Sequence, residues 1–115
     1  MLELEFPLRT VAGLNAREHW RVRATRVRNE RIAVGWRMQH APKPGLPVRV
    51  TLTRLSAGTL DSDNLQGAFM GVRDAIAQCY GIADNDARIE WVYAQEKCKR
   101  GTYRIRITIT DGEKS

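Results

Sequence analysis

Between Tyr103 and Ile109 the chain alternates strictly. Tyr103, Ile105, Ile107 and Ile109 occupy one phase, and Arg104 and Arg106 the other. Side chains on a strand point to opposite faces in turn, so this pattern predicts a strand with one dry face and one wet face. Such strands bury one side only and need a second layer packed against it. The same alternation recurs in Val48, Val50 and Leu52 against Arg49, Thr51 and Thr53, and in Ile89, Trp91 and Tyr93. At the start of the chain Leu2, Leu4, Phe6 and Leu8 alternate with Glu3, Glu5 and Pro7. Pro7 has no N–H to give a ladder, which predicts a position near a sheet edge.

Helical signals fill the gaps. Asn15 is an expected N-cap for a helix reaching about Gln39, with Trp20, Ala24, Val27, Val34 and Met38 at helical spacing and Arg31 interrupting them. Ala41-Pro42-Lys43-Pro44-Gly45 ends it. A second helix is predicted from Asp63, with Leu65, Ala68, Phe69, Val72, Ala75, Ile76 and Cys79 on one face and Gly81 as terminator. The element order is β-α-β-α-β-β: an α+β, two-layer fold with a small mixed sheet and two helices. The last two strands are expected to pair as a hairpin through a basic turn at Lys97–Gly101. The tail from Asp111 to Ser115 is expected to fray.

The chain's 115 residues predict a single domain, 1–115. No apolar run reaches membrane-spanning length, and Met1-Leu2-Glu3-Leu4-Glu5 does not read as a signal peptide, so the expected compartment is the cytoplasm. Cys79 and Cys98 lack metal-ligand spacing. Cys79 reads as a small core residue, and the expected compartment argues against a disulfide.

Charge narrows the function classes. Lys and Arg number 19 against 13 Asp and Glu, a formal net charge of +6. Arg17, Arg21, Arg23, Arg26, Arg28 and Arg31 fall in one short stretch. A guanidinium fork grips two phosphate oxygens at once, so the excess points to a polyanionic partner. A solvated helix face is the plainer alternative for such a run.

Against this basic background stand two acidic groups. Asp61-Ser62-Asp63-Asn64-Leu65-Gln66 lies where a strand hands over to a helix, and Asp84-Asn85-Asp86 follows that helix. In an extended run, Asp61 and Asp63 would share one side. The return at Asp84 and Asp86 is expected to add a third carboxylate. Three carboxylates at close range repel unless a cation sits among them. Mg²⁺, or Mn²⁺ with the same taste for oxygen ligands, would relieve that conflict and could activate a water at a phosphodiester. Each group by itself has a simpler use, as a helix cap or as a turn.

The string Asp61-Ser62-Asp63-Asn64-Leu65-Gln66, the helix behind it and Asn85-Asp86-Ala87-Arg88-Ile89 together resemble the RusA family of Holliday junction resolvases, in particular its phage and prophage members. Asn15 to Trp20 and Trp91-Val92-Tyr93-Ala94-Gln95-Glu96-Lys97 extend the resemblance over most of the chain. The resemblance implies a homodimer that makes paired Mg²⁺-dependent nicks in four-way DNA junctions, with no small-molecule cofactor. It assigns catalysis and metal binding to Asp61, Asp63 and Asp86, with Asp84 as an acidic neighbour. Asn64 would orient Asp63 or hold the start of the helix.

Well-known members of the family carry a Lys directly after this segment, where this chain has Gly67. Arg73, Arg88 and Lys97 are the candidates to supply that cation. DNA contacts are expected from Arg17, Arg21, Arg23, Arg28, Arg73, Arg88, Lys97, Lys99 and Arg100. His19 and Trp20 are expected to pack or lie at the surface rather than bind metal. Two rival readings stand beside the nuclease: a branched-DNA-binding protein of the same fold that does not cut, and a basic module for RNA or protein.

Overall fold

The computed structural model describes residues 1–8 and 20–112; the side chains of Trp20, Val22 and Arg23 also fall outside the description. Seven elements follow in order: β1 (Leu2–Pro7), α1 (Trp20–Gln39), β2 (Val48–Ser56), α2 (Ser62–Ala68), α3 (Met70–Cys79), β3 (Ile89–Lys97) and β4 (Arg104–Asp111). They form a two-layer α+β fold in which one four-stranded mixed sheet, ordered β1-β4-β2-β3, carries the helices. The expected cap Asn15 lies outside the described residues.

The alternation read from the sequence sets the two faces. Val48, Val50 and Leu52 of β2 and Ile105, Ile107 and Ile109 of β4 are buried with Leu2 and Phe6 of β1. Against them pack Val34 and Met38 of α1 and Phe69, Val72 and Ile76 from the helical stretch after β2. The opposite face carries the charges. Arg106 reaches Glu5 and Glu96 at 3.0 and 2.9 Å, and Arg104 reaches Glu5 at 3.3 Å. Such exposed pairs add little stability each, but they keep that face solvated. As Pro7 predicts, β1 is an edge strand, and its last pair is Pro7 with Arg104.

Four expectations need correction. First, β3 and β4 do not form a hairpin. β3 pairs with β2 in parallel and β4 pairs with β2 antiparallel, so β2 lies between them. β2 is the most thoroughly buried strand, and an edge place would leave half of its backbone groups unpaired. Residues 98–103 instead cross the end of β2, where the Cys98 N–H donates to the Ser56 carbonyl at 3.1 Å. Gly101, at φ +85°, closes a turn there in which the Thr102 N–H meets the Lys99 carbonyl.

Second, the helix after β2 is two helices. Phe69 leaves helical geometry at φ −98°, ψ 8°, and its N–H turns to Gln66 in a tight three-residue bond. The break lets the fully buried Phe69 ring enter the core. Third, the buried stripe of α1 runs through Glu30, while Ala24, expected inside, is exposed. Fourth, Asp111 is not frayed: it pairs with Val48, and Gly112 donates to the Pro47 carbonyl at 3.0 Å. The remaining tail, 113–115, lies outside the described residues. Both cysteines are free thiols. Cys79 packs against the core, where burial pushes its thiol pKa up.

α1 and α3 come together at Gly71. A Cβ there would stand 2.8 Å from the Glu30 Oε2 and 3.1 Å from the Val27 carbonyl oxygen. The Glu30 side chain is buried and held at its other oxygen by Arg26 at 3.1 Å, so it has little room to retreat. Gly71→Ala is therefore expected to destabilise the fold by about 1–3 kcal/mol despite Ala's better helix propensity. Urea denaturation followed by circular dichroism checks this; an unchanged midpoint would mean the helices separate freely.

Candidate functional site

The first acidic group sits just beyond the carboxyl end of β2. After Ser56 the chain makes a short loop and docks on β3. The Leu60 N–H donates to the Gln95 Oε1 at 2.8 Å, and the Gln95 Nε2 donates back to the Leu60 carbonyl at 2.8 Å. This amide pair fixes Asp61 beside the last third of β3. Asp61 is the N-cap of α2: its Oδ1 accepts the Asn64 backbone N–H at 2.9 Å. The buried Asn64 side chain then donates to both Asp61 oxygens, at 3.0 and 3.1 Å. Asn64 thus holds Asp61, not Asp63. The carboxylate cannot swing freely, because its cap bonds fix it from one side.

Asp63 lies one residue inside the first turn of α2 and is exposed. The expected side-by-side placement of Asp61 and Asp63 assumed an extended run to Asp63. The helix already begins at Ser62, so period-two spacing no longer holds there.

The second acidic group is at the other end of β3. Ile89 pairs with Val48, the first residue of β2, and its N–H bonds the Asp86 carbonyl at 3.1 Å. From Ile89 to Gln95 is six strand positions, roughly 20 Å. Asp86 and Asp61 therefore belong to opposite ends of the strand within one copy. Among the described residues, no three His, Cys, Asp or Glu side chains gather closely enough to hold a metal ion.

Asp86 is bound to its own neighbour. Arg88 donates through Nε at 3.0 Å, through Nη2 at 2.9 Å and through its backbone N–H at 2.9 Å. These bonds, side-chain first, lower the Asp86 pKa from 3.8 to about 2 and raise that of Arg88. Asp84 is held by Arg73, the residue expected to stand in for the missing lysine. Arg73 donates to the Tyr93 hydroxyl at 2.8 Å and to the Asp84 carbonyl at 3.2 Å. Its Nε stands 3.0 Å from the Asp84 Oδ2 as an ion pair, off the line a hydrogen bond requires. The guanidinium also lies 4.9 Å from the Trp91 ring centre, and the Trp91 indole N–H donates to the same Asp84 carbonyl at 2.7 Å. Arg73 and Trp91 thus tie the Asp84 turn down onto β3.

A row on the helix side of β3 joins the two groups: Trp91 and Tyr93 reach the Asp84 end, Gln95 the Asp61 end. Sequence reading missed Gln95 and Arg54. Gln95 shows only as a polar residue in the apolar phase of β3. Arg54 continues the phase of Val48, Val50 and Leu52, is 9% exposed and donates to the Gly58 carbonyl at 3.0 Å. Burial lowers its pKa. A charge kept in an otherwise apolar phase was the available signal for it.

The other predicted cations distribute unevenly. Lys97, Lys99 and Arg100 are exposed at the β3–β4 connection, on the same sheet end as Ser56 and the loop to Asp61. Arg21 and Arg28 are exposed on α1. Arg17 and His19, and the side chains of Arg23 and Trp20, lie outside the described residues. No helix among the described residues is long and apolar enough to cross a membrane. No protein-family model matches the chain, and no curated protein is significantly similar to it.

Two outcomes follow from these contacts. Asp61→Ala removes the cap and takes from the buried Asn64 amide its two bonds to the carboxylate, an expected loss of about 1–2 kcal/mol in thermal or urea unfolding. Asp86 has a lowered folded-state pKa, so its pairing stabilises the fold above pH ~4, where the unfolded carboxyl is also ionised, and is lost as pH falls toward 2. An NMR titration should place its midpoint near 2, and Arg88→Ala should return it toward 3.8.

Proposed function

We propose that this chain is a metal-dependent endonuclease of the RusA type that cuts four-way DNA junctions as a homodimer. The observation that carries the reading is the Asp61–Asn64 clamp. It fixes one carboxylate of the Asp-x-Asp-Asn-Leu string at a sheet end that also presents Lys97, Lys99 and Arg100. A helix cap needs only one bond to the backbone. Three bonds onto one exposed carboxylate hold it for a further ligand.

The resemblance assigns the metal to Asp61, Asp63 and Asp86, with Asp84 nearby, yet in a single copy Asp86 and Asp61 belong to opposite ends of β3. A two-fold dimer reconciles them. β3 is an edge strand, and its run Trp91-Val92-Tyr93-Ala94-Gln95 has no charge, Pro or Gly to block pairing. Antiparallel pairing of β3 with β3 of a second copy sets the Asp84–Asp86 end of one against the Asp61–Asp63 end of the other. Two equivalent composite sites result, as suits paired nicks in a symmetric substrate. Asp61 and Asp63 of one copy and the turn carboxylates of its partner would hold Mg²⁺. The ion supplies an activated water and charge stabilisation at the phosphate. The basic turn and the exposed arginines of α1 hold the backbone.

Binding without cleavage is the second reading. It rests on Gly67, and on Arg73 and Arg88 being committed to Asp84 and Asp86.

A synthetic four-way junction with Mg²⁺ or EDTA decides between them. The wild-type chain should give symmetric paired nicks only with Mg²⁺, and Asp63→Asn should bind the junction but lose cleavage by at least a hundredfold. Mixing Asp63→Asn with Asp86→Asn should restore single nicks, since each mixed dimer then has one intact composite site. No restoration would place all carboxylates of a site in one copy; binding with no nicks from the wild type would establish the second reading.

A further inference from the structure

Gln95 stands where the strand pattern calls for an apolar side chain. It shares the phase of Ile89, Trp91 and Tyr93 and is half-buried. An apolar residue at that place would bury its surface without having to find polar partners. The Gln95 amide instead makes a two-point contact with Leu60. It accepts the Leu60 N–H and donates to the Leu60 carbonyl, both at 2.8 Å, across 35 residues of chain. One side chain thus reproduces the double exchange by which two antiparallel strand residues pair.

The residue held in this way immediately precedes Asp61. The Asp61 carboxylate is itself gripped from within α2, by the Asn64 N–H at 2.9 Å and the Asn64 side chain at 3.0 and 3.1 Å. Those bonds fix the carboxylate relative to α2, not relative to the sheet. Leu60 and Leu65 pack against the core. Apolar contact is non-directional, so by itself it tolerates sliding. Hydrogen bonds weaken steeply with angle and distance, so the Gln95 pair does not. It sets the register of the Asp61 segment against β3, at the sheet end where Lys97 follows two residues later.

We infer that Gln95 is a positioning residue for metal binding at Asp61. Both ends of its amide are engaged with Leu60, so it acts through that residue and not on the ion. This rests on the junction-cutting reading above and adds a residue that sets how tightly the ion is held. Partners that orient a metal-binding carboxylate from outside the coordination sphere affect affinity strongly, because they fix where the oxygens stand before the ion arrives.

The test uses two variants of the full-length chain. Gln95→Met keeps the length and removes both bonds; Gln95→Asn keeps the amide but withdraws it by one methylene. Each is titrated with Mn²⁺ alone by calorimetry, with Asp63→Asn as the reference for the site. Junction cleavage is then followed against Mg²⁺ concentration. Gln95→Met should weaken Mn²⁺ binding roughly tenfold and raise the half-saturating Mg²⁺ by a similar factor. Saturating Mg²⁺ should recover most of the rate, and Gln95→Asn should behave alike. Junction affinity in EDTA and the dimer seen by sedimentation should match the wild type. Unchanged Mn²⁺ affinity in both variants overturns the inference. A parallel loss of junction affinity in EDTA or of dimer overturns it too, making Gln95 a support of the fold alone. Should the wild type neither bind Mn²⁺ nor cut, the junction-cutting reading falls and this inference with it; wild-type binding that both variants keep removes this inference alone.

Discussion

β2 is hydrogen-bonded along both edges, to β3 in parallel and to β4 antiparallel, and its helix-side residues Val48, Val50 and Leu52 are fully buried. The rest of the molecule answers to that placement. A parallel neighbour cannot follow through a tight turn, so the chain between β2 and β3 must travel back along the sheet. α2 and α3 make that journey. The link from β3 to β4 must then pass over the end of β2, which is why a short basic loop stands at that end. The same requirement leaves β1 and β3 as the two edges.

One consequence is a division of charge chemistry between the strand's ends. The connection leaving β2 delivers Asp61 and Asp63 at the carboxyl end, and the connection entering β3 delivers Asp84 and Asp86 at the amino end. Each group is held locally in a different way. Asp61 is met by an amide and a helix terminus, Asp86 by Arg88, and Asp84 by Arg73. The amide leaves Asp61 its full negative charge, whereas the arginines cancel theirs. The Asp61 end is thus the one with charge to spare for a cation, and the turn at Asp84–Asp86 is held in shape by salt bridges that a competing ligand would have to displace.

Arg73 shows how packing reassigns a residue. On the sequence it is a spare cation two turns behind the carboxylates. In the fold, α3 presents it to β3, where Tyr93, Trp91 and Asp84 surround it. It becomes a strut between layers. Arg54 moves the opposite way: an unremarked strand residue turns out to be the buried cation nearest the loop that leads to Asp61.

The strands, their faces and the edge place of β1 were legible because period-two alternation is local and Pro7 is local. The stop at Gly81, φ +70°, was legible for the same reason; the helix expected from Asp63 begins one residue earlier, with Asp61 as its cap. The hairpin between β3 and β4 was misread because neighbours in sequence usually pair, and only the burial of β2 against both decides otherwise. The break at Phe69 escaped notice because its cause is a ring fitting a core the sequence does not display. The acidic strings could be found by eye, but not how far apart they fall. By itself, then, the sequence determined which strand residues face the core, since alternation depends on neighbours two places away, but not the buried face of α1, where Glu30 is inside and Ala24 outside. Only the tertiary structure decided strand order, and with it which carboxylates share an end, because that depends on which surfaces of the whole chain can be buried together.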